Sequence, residues 1–327
     1  MYRLVFEWGN RYRGSDNCDE DVLEGLQPHP NLKELQILKF MGDQFPQWFM
    51  NLTSLVELRV ADCTRCRELP TLGQLSSLQH LYLTGLENIR SIGLSFYSTT
   101  LKKLSLEGMK NLEEWKDAPE MMSTAGEVHV MDVFPMLEKL SIRDCPRLTT
   151  IPTPSRFPSL DVLEIEENCH VLLAEKVLTN ITTLCSLDLR GAQRLNFDWA
   201  LGLASSSSLR HVSLRGMYGA KSLPHQLQCL TTITSLSLFG FGAIEALPDW
   251  LGNLASLDEL ILHYCPNLEY LPSVDAMERL KLRRLEIEDC PLLKRRCTPQ
   301  SGSEWPKISN IPEHRIDFRG TRLLLKL

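Results

Sequence analysis

Long hydrophobic runs are missing from this 327-residue sequence. The longest candidate, the tail Leu323–Leu327, is far shorter than the roughly 18–20 apolar residues that a membrane-spanning helix needs. The first residues, Met1–Trp8, lack the apolar segment of a secretory signal peptide. We therefore expect neither a transmembrane segment nor secretion, and we predict a cytoplasmic protein.

Positive charge is also scarce. Lysine and arginine total 35 residues against 41 for aspartate and glutamate, so the formal net charge is −6 and the isoelectric point is about 5.8. Proteins that bind nucleic acid usually carry an excess of basic residues on one face. The charge balance therefore predicts that no nucleic acid is among the partners.

Residue clusters that carry catalysis or metal binding are absent as well. The ten cysteines are too few for a disulfide scaffold, and without a signal peptide we expect reduced thiols. Cys63 and Cys66 form a C-x-x-C pair, but no second pair completes the four ligands of a structural zinc site. The eight histidines are scattered, and no G-x-S-x-G motif occurs. We therefore predict no catalytic, cofactor-binding or metal-binding residue in this chain, and no enzyme activity.

Leucine, in contrast, is abundant, at 59 of the 327 residues. Many leucines fall in the pattern L-x-x-L-x-L, in which Ile or Val sometimes replaces Leu. Eleven copies follow one another at intervals of 23–25 residues, apart from one interval of 36. A period of roughly 20–29 residues with this pattern is typical of leucine-rich repeats. The copies begin at Leu32, Leu55, Leu78, Leu101, Leu137, Leu160, Leu184, Leu209, Ile233, Leu257 and Leu282.

The repeat predicts the fold. The last two apolar positions of each copy alternate with polar ones, which indicates a short strand with one buried face. One copy cannot bury that face alone, whereas stacked copies form a parallel sheet over a continuous core. We predict an α/β solenoid: a leucine-rich-repeat horseshoe with a parallel β-sheet on the concave face and an irregular or short-helical convex face. Proline in the connecting segments disfavours long helices, so we expect short helical turns such as Asp19–Leu26 and Pro46–Asn51.

The repeat also sets the predicted boundaries. Residues 1–31 are expected to hold a partial repeat, with a strand near Leu4–Trp8, and a linker. Residues 32–290 form the predicted array, and residues 291–327 its C-terminal cap and tail. The copy that begins at Leu101 is longer than the others, so residues 113–136 are predicted to form a long loop.

Cysteine or asparagine follows several of the predicted strands. In leucine-rich repeats the side chain at this position points inward and satisfies backbone groups. This role explains four of the ten cysteines without redox or metal chemistry. The residues concerned are Cys63, Cys145, Asn168, Cys265 and Cys290.

The segments that link the copies are more distinctive than the leucine motif itself. They include residues 63–78 (CTRCRELPTLGQLSSL), 83–97 (LTGLENIRSIGLSFY), 23–35 (LEGLQPHPNLKEL) and the ending 290–297 (CPLLKRRC). Nearly the whole chain resembles the leucine-rich-repeat domain of plant intracellular immune receptors. These are disease-resistance proteins of the coiled-coil, nucleotide-binding, leucine-rich-repeat (NB-ARC-LRR) class.

The resemblance implies a function in defence. In such receptors the repeat domain helps to hold the nucleotide-binding module in its resting, ADP-bound form and contributes to sensing pathogen effectors. The expected partners are an effector or a guarded host protein, and the NB-ARC domain of the intact receptor. No G-x-x-x-x-G-K-[ST] motif occurs here, so ADP or ATP is expected only in the missing NB-ARC domain. The alternative is a stand-alone leucine-rich-repeat adaptor or decoy scaffold, and a start within the array suggests a fragment, a truncated gene or a shortened isoform.

The concave face is the predicted binding site, because polar strand positions stand there in rows about 4.8 Å apart. Aromatic, apolar and arginine side chains on such a face are typical of interface hot spots. We expect effector specificity to lie mainly in the C-terminal half of the array. The alternative that stays open is that these side chains pack locally or against the missing domain. The candidate residues are Tyr82, Arg143, Glu166, Arg190, Arg215, Phe239, Ile261, His263 and Tyr264.

Overall fold

The computed structural model describes two compact parts of the chain, Met1–Thr183 (unit 1) and Leu184–Leu327 (unit 2). The Asn168 position, the cysteine at 169 and most of the C-terminal tail lie outside the described residues, and so does part of the predicted loop 113–136. The described residues are 2–9, 19–117, 121–122, 128–129, 133–153, 156–166, 178, 181–191, 199–204 and 206–316.

Unit 1 is built from parallel strands, one in each repeat. Within its described residues seven strands form one parallel sheet, while β5 with β7 and β8 with β9 form separate two-stranded pairs. Helix α1 (Asp19–Gly25) and short 3-10 turns at Gln47–Asn51 and Leu94–Phe96 lie in the connecting segments, as the proline pattern predicts. The strands are β1 (Arg3–Glu7), β2 (Glu34–Leu38), β3 (Glu57–Ala61), β4 (His80–Thr84), β5 (Ser91–Ile92), β6 (Lys103–Glu107), β7 (Glu114–Trp115), β8 (Met121–Met122), β9 (Val128–His129), β10 (Lys139–Arg143) and β11 (Val162–Ile165).

Unit 2 repeats this construction. Its described part holds six parallel strands: β12 (Ser186–Arg190), β13 (His211–Arg215), β14 (Ser235–Phe239), β15 (Glu259–His263), β16 (Arg284–Glu288) and β17 (Glu313–Ile316). The last strand lies beyond residue 290 and continues the sheet. Short 3-10 turns, His225–Cys229 and Asp249–Asn253, each follow a proline. The helices are α2 (Trp199–Leu203), α3 (Val274–Leu280), α4 (Pro291–Arg296) and α5 (Trp305–Ile308).

The leucine motif packs in both units as the sequence predicts. In the copy that begins at Leu78, that residue and the two apolar residues of its strand, Leu81 and Leu83, are fully buried. Strand β4 alternates buried and half-buried residues along its length. The stacked apolar rows form the core of each unit, which confirms the leucine-rich-repeat solenoid as the fold class. Among the described residues, no helix has both the length and the apolar character to cross a membrane.

Most strands of the repeats end in a left-handed turn that the leucine motif alone did not predict. The residue directly after the strand has a positive φ in almost every described repeat. Glycine adopts this conformation freely and aspartate tolerates it, whereas most side chains resist it. Gly or Asp two residues after the third apolar position of the motif was therefore a usable signal for this turn. The residues are Lys39, Asp62, Gly85, Gly108, Asp144, Gly191, Gly216, Gly240, Tyr264 and Asp289.

Replacing Gly240 with alanine is expected to lower the free energy of unfolding by about 1–2 kcal/mol, because a left-handed backbone disfavours a Cβ. The φ of Gly240 is 73°, and its added Cβ would lie 3.4 Å from the backbone nitrogen of Gly216. Urea denaturation followed by circular dichroism measures the change. Gly219→Ala is the matched control, since a Cβ there meets nothing within 4 Å. Equal losses in the two variants would contradict the turn argument.

The cysteines after the strands occupy the inward positions that the sequence predicts. Cys63, Cys145 and Cys290 are buried, and each thiol donates toward a carbonyl of the preceding repeat at 3.5–4.0 Å. Cys265 is buried as well and donates to the His263 carbonyl at 3.4 Å. A hydrogen bond with Cys63 and burial both raise the pKa of the Cys66 thiol. The buried thiols therefore satisfy backbone carbonyl groups inside the array.

Candidate protein-binding face

The predicted rows of side chains exist on the polar faces of the sheets. In unit 2, Arg190 lies opposite Arg215, which lies opposite Phe239, and the row continues through His263 to Glu288. Because successive side chains of a strand point to opposite faces, this row stands away from the buried leucines. The sequence reasoning therefore placed these residues correctly on one face.

Tyr82 is part of a small cluster in unit 1. The Arg59 guanidinium lies over its ring, 4.2 Å from the centroid, and the Arg59 Nε donates to Glu57 Oε1 at 2.6 Å. Arg59 and Glu57 were not among the predicted residues, although Arg59 holds the same motif position as Tyr82 on the neighbouring strand. Together they border a shallow depression of about 500 Å³ whose floor includes Ala61 and Thr84.

Arg143 takes part in a charged cluster of unit 1. Its guanidinium donates to Glu164 at 2.8 Å and lies 3.9 Å from Glu166, so the nearer partner is a carboxylate that the prediction left out. Lys139 also donates to Glu164. Burial raises the pKa of Glu164, but the hydrogen bonds and charges of Lys139 and Arg143 outweigh it and bring the pKa below its ordinary value. The cluster thus contains two cations and two carboxylates.

Two arginines of unit 2 share a single carboxylate. Arg190 and Arg215 lie 3.5 Å and 3.3 Å from Asp188 Oδ2, and Arg215 Nε also donates to Ser213 Oγ at 3.0 Å. Both arginines are about one-third exposed, whereas the Asp188 side chain is mostly buried. Asp188, which pairs with both arginines, is not among the candidate residues predicted from the sequence.

An aromatic group follows the two arginines along the row. The Phe239 ring lies 4.8 Å from the Tyr264 ring and 6.2 Å from the His263 ring, and Arg215 approaches it at 5.7 Å. Tyr264 is 38% exposed, and it occupies the left-handed turn position that most other repeats give to glycine or aspartate. A bulky residue in this conformation is a local strain of the kind found at functional sites. Ile261 is half-buried on the same face.

His263 lies between two carboxylates. Its ring nitrogens are 3.5 Å from Glu286 and 3.6 Å from Glu288. One ligand atom from each of these three residues lies within 4.8 Å of the others, so they are the residues of this face that can hold a divalent cation. Arg284, however, already donates to Glu286 at 2.9 Å. The sequence reasoning missed this group because Glu286 belongs to a neighbouring row.

Comparison with known proteins finds a matching family model and several relatives of this chain. Residues 1–86 match the family model described as R13L1/DRL21 leucine-rich repeats. The chain is 31% identical to the putative disease resistance protein RGA4 of Solanum bulbocastanum, over 95% of the chain and 31% of that protein. It is 35% identical to the putative disease resistance RPP13-like protein 1 of Arabidopsis thaliana, over 50% of the chain and 17% of that protein.

A solved structure supports the fold alone. The leucine-rich repeat domain of the type III effector XopL superposes with a TM-score of 0.56 over 76% of this chain and 81% of that one, at 22% identity. The chain spans about a third or less of the length of the curated relatives it matches. Its repeats, its linking segments and its fold all agree with one assignment. The chain is a leucine-rich-repeat array of the kind that plant disease-resistance proteins carry.

Proposed function

We propose that this array recognises other proteins as the sensing part of a plant innate-immune receptor. Contact of a pathogen effector, or of a guarded host protein, with the polar sheet face would shift the intact receptor from its resting to its active form. An NB-ARC domain is the second proposed partner, and it is the place where ADP or ATP binds. The array itself binds no cofactor in this proposal and catalyses no reaction.

The observation that carries the proposal is the ordered row on the face of unit 2. Arg190, Arg215, Phe239, His263 and Tyr264 present arginine and aromatic side chains, the types that dominate protein interfaces. Because the strands hold these residues in fixed register, little conformational freedom is lost when a partner binds. Repeat proteins in general use such extended surfaces to bind other proteins.

The proposed location is the cytoplasm. The described cysteines are free thiols, and five of the eight lie in the repeat cores. Thiols remain reduced in the cytosol, whereas secreted proteins tend to pair them. The disease-resistance relatives support the same location by similarity.

Loss of the gene is expected to remove resistance to at least one pathogen isolate. Inactivation in the host plant, followed by challenge with a panel of isolates, should give a roughly 10-fold or larger rise in pathogen growth for that isolate, because sensing is then absent. The wild-type gene should restore resistance. If no isolate distinguishes the mutant from the wild type, the defence function is wrong.

Complementation variants test the face itself. A gene that encodes Arg190→Gln, Arg215→Gln, Phe239→Ala, His263→Ala and Tyr264→Gly should fail to restore resistance. A matched control changes exposed residues of the connecting segments, Glu87→Ala, Lys110→Ala and Val274→Ala, and should restore it. Full restoration by the five-residue variant would place recognition elsewhere.

The size of the native product separates the two forms of this proposal. An antibody to the array should detect a protein well above 37.3 kDa in tissue if the array belongs to a full receptor. A single band at 37.3 kDa would instead favour the stand-alone adaptor or decoy.

A further inference from the structure

The charges around Asp188 in unit 2 are not balanced. Two guanidinium groups, those of Arg190 and Arg215, converge on the same oxygen of this one carboxylate. Among the described residues, Asp188 is the only carboxylate within 4.0 Å of either arginine. The cluster therefore carries one net positive charge on a partly exposed surface.

The two arginines are also placed unfavourably with respect to each other. Arg190 and Arg215 are directly opposite on neighbouring parallel strands, and like charges in such cross-strand pairs are destabilising. In the part of the chain that the structure describes, Arg190 Nε and Asp188 Oδ1 are buried atoms with no hydrogen-bond partner. Those two atoms are out of a partner's reach, but both guanidinium groups are about one-third exposed, so their positive charge and exposed N–H groups are available to an added anionic group.

A comparable cluster in unit 1 does not share this imbalance. Lys139 and Arg143 also meet on one carboxylate, Glu164, but Arg143 has Glu166 as a second carboxylate 3.9 Å away. Two positive charges there face two negative charges. The charges of the unit 1 cluster are therefore balanced, whereas the unit 2 cluster keeps one positive charge that can pair with a further anion.

The surroundings of the unit 2 cluster restrict what can bind. On one side lies the Phe239 ring, which Arg215 approaches at 5.7 Å. Two strands beyond Phe239, or about 10 Å at the usual strand spacing, lies Glu288, which with Glu286 flanks His263. A run of acidic residues would be repelled there, whereas an acidic residue next to an apolar one fits.

We propose that Arg190 and Arg215 bind an acidic side chain of the protein partner while Phe239 packs against an apolar side chain beside it. Arginine suits this role because its planar guanidinium can donate two parallel hydrogen bonds to a carboxylate. This inference rests on the proposed function, since it names the chemistry of the partner that the array recognises. It deepens that function by assigning the contact to three residues.

Peptide display on the full 327-residue chain tests the inference. A random-peptide phage library is panned on the wild type and depleted on the double variant Arg190→Gln, Arg215→Gln. Clones that pass both steps are expected to be enriched in Asp or Glu adjacent to an apolar residue. Arg279→Gln, Arg295→Gln is the matched control, because it removes the same charge from exposed positions on helices α3 and α4, outside the sheet.

Fluorescence anisotropy then measures the affinity of the most enriched peptide. The double variant is expected to bind it about 10-fold or more weakly than the wild type, and the control within about twofold. A peptide whose acidic residue is changed to the amide should lose a similar factor on the wild type and little on the double variant. Higher salt should weaken wild-type binding, since the contact is partly exposed. Circular dichroism confirms that each variant keeps its fold, and the single variants Arg190→Gln and Arg215→Gln serve if the double variant does not fold.

Several results would overturn the inference. It is wrong if no clone distinguishes the wild type from the double variant, or if the selected clones are basic. It is also wrong if a phosphoserine peptide binds while the carboxylate peptide does not, since the partner would then be a phosphoprotein. These outcomes leave the defence function standing, because that function depends on the growth of pathogens in the gene mutant.

Discussion

Replacing Phe134 with alanine is expected to lower the free energy of unfolding of unit 1 by about 3–5 kcal/mol. Phe134 is fully buried where connecting segments of several repeats meet. Its ring is stacked on Phe157 at 5.8 Å and meets Trp115 edge-on at 5.8 Å. Tyr97 and Phe96 complete the cluster at 5.6 Å and 6.3 Å. Truncation would leave a cavity that these rigid rings cannot close, so both burial and ring contacts are lost.

Urea denaturation followed by tryptophan fluorescence measures this loss, because Trp115 reports directly on the cluster. Phe134→Leu retains most of the buried volume and should be less destabilising than Phe134→Ala. Met136→Ala is the position control: Met136 is 47% exposed two residues away, so its truncation should change stability by less than about 0.5 kcal/mol. A loss below about 1 kcal/mol for Phe134→Ala would mean that the cluster does not hold unit 1 together.

The leucine pattern predicted the strands and their rows because both follow from one period. Once Leu78, Leu81 and Leu83 are placed inward, the alternation of a strand fixes which residues face outward. That is why Phe239 and His263 could be placed opposite each other before the structure was known. Periodicity determines register and face, and these depend on the backbone alone.

The partners of the outward side chains could not be predicted in the same way. Arg143 and Glu166 were both placed on the sheet face, but Arg143 lies nearer to Glu164 in the adjacent row. Long side chains reach across rows, and the choice depends on rotamers and burial that a repeat pattern does not contain. For the same reason, the repeat pattern did not show that the Glu286 side chain lies beside His263.

Two features had signals that the sequence reasoning did not use. The left-handed turn is marked in most repeats by glycine or aspartate directly after the strand, with Lys39 and Tyr264 as the exceptions. The aromatic cluster is marked by a shared F-P-x-L pattern, in which Phe134 and Phe157 each stand three residues before the first leucine of a copy. Both signals appear only when copies are aligned with one another.

Replacing Glu304 with alanine is expected to lower the free energy of unfolding of unit 2 by about 3–5 kcal/mol. Glu304 is 3% exposed, and one of its carboxylate oxygens accepts hydrogen bonds from the Leu271 backbone nitrogen at 2.8 Å and from Lys307 at 2.7 Å. Lys307 also donates to the Leu271 carbonyl at 3.2 Å. The carboxylate thus joins the C-terminal helix α5 to the last repeats. Its removal leaves a mostly buried ammonium group and a buried N–H without their acceptor.

The size of this loss depends on burial rather than on the ion pair itself, and a set of variants can separate the two. Glu304→Gln keeps an acceptor for Leu271 but removes the charge, so it should fall between the wild type and Glu304→Ala. The double variant Glu304→Leu, Lys307→Met removes both buried charges together and should be less destabilised than Glu304→Ala, because neither charge is left unpaired. Thermal denaturation measures the stability of each variant, and Asp258→Asn, which weakens the exposed pair with Arg283, should lose less than about 1 kcal/mol. If Glu304→Ala and Asp258→Asn lose equal amounts, the buried carboxylate does not fasten the C-terminal end of the array.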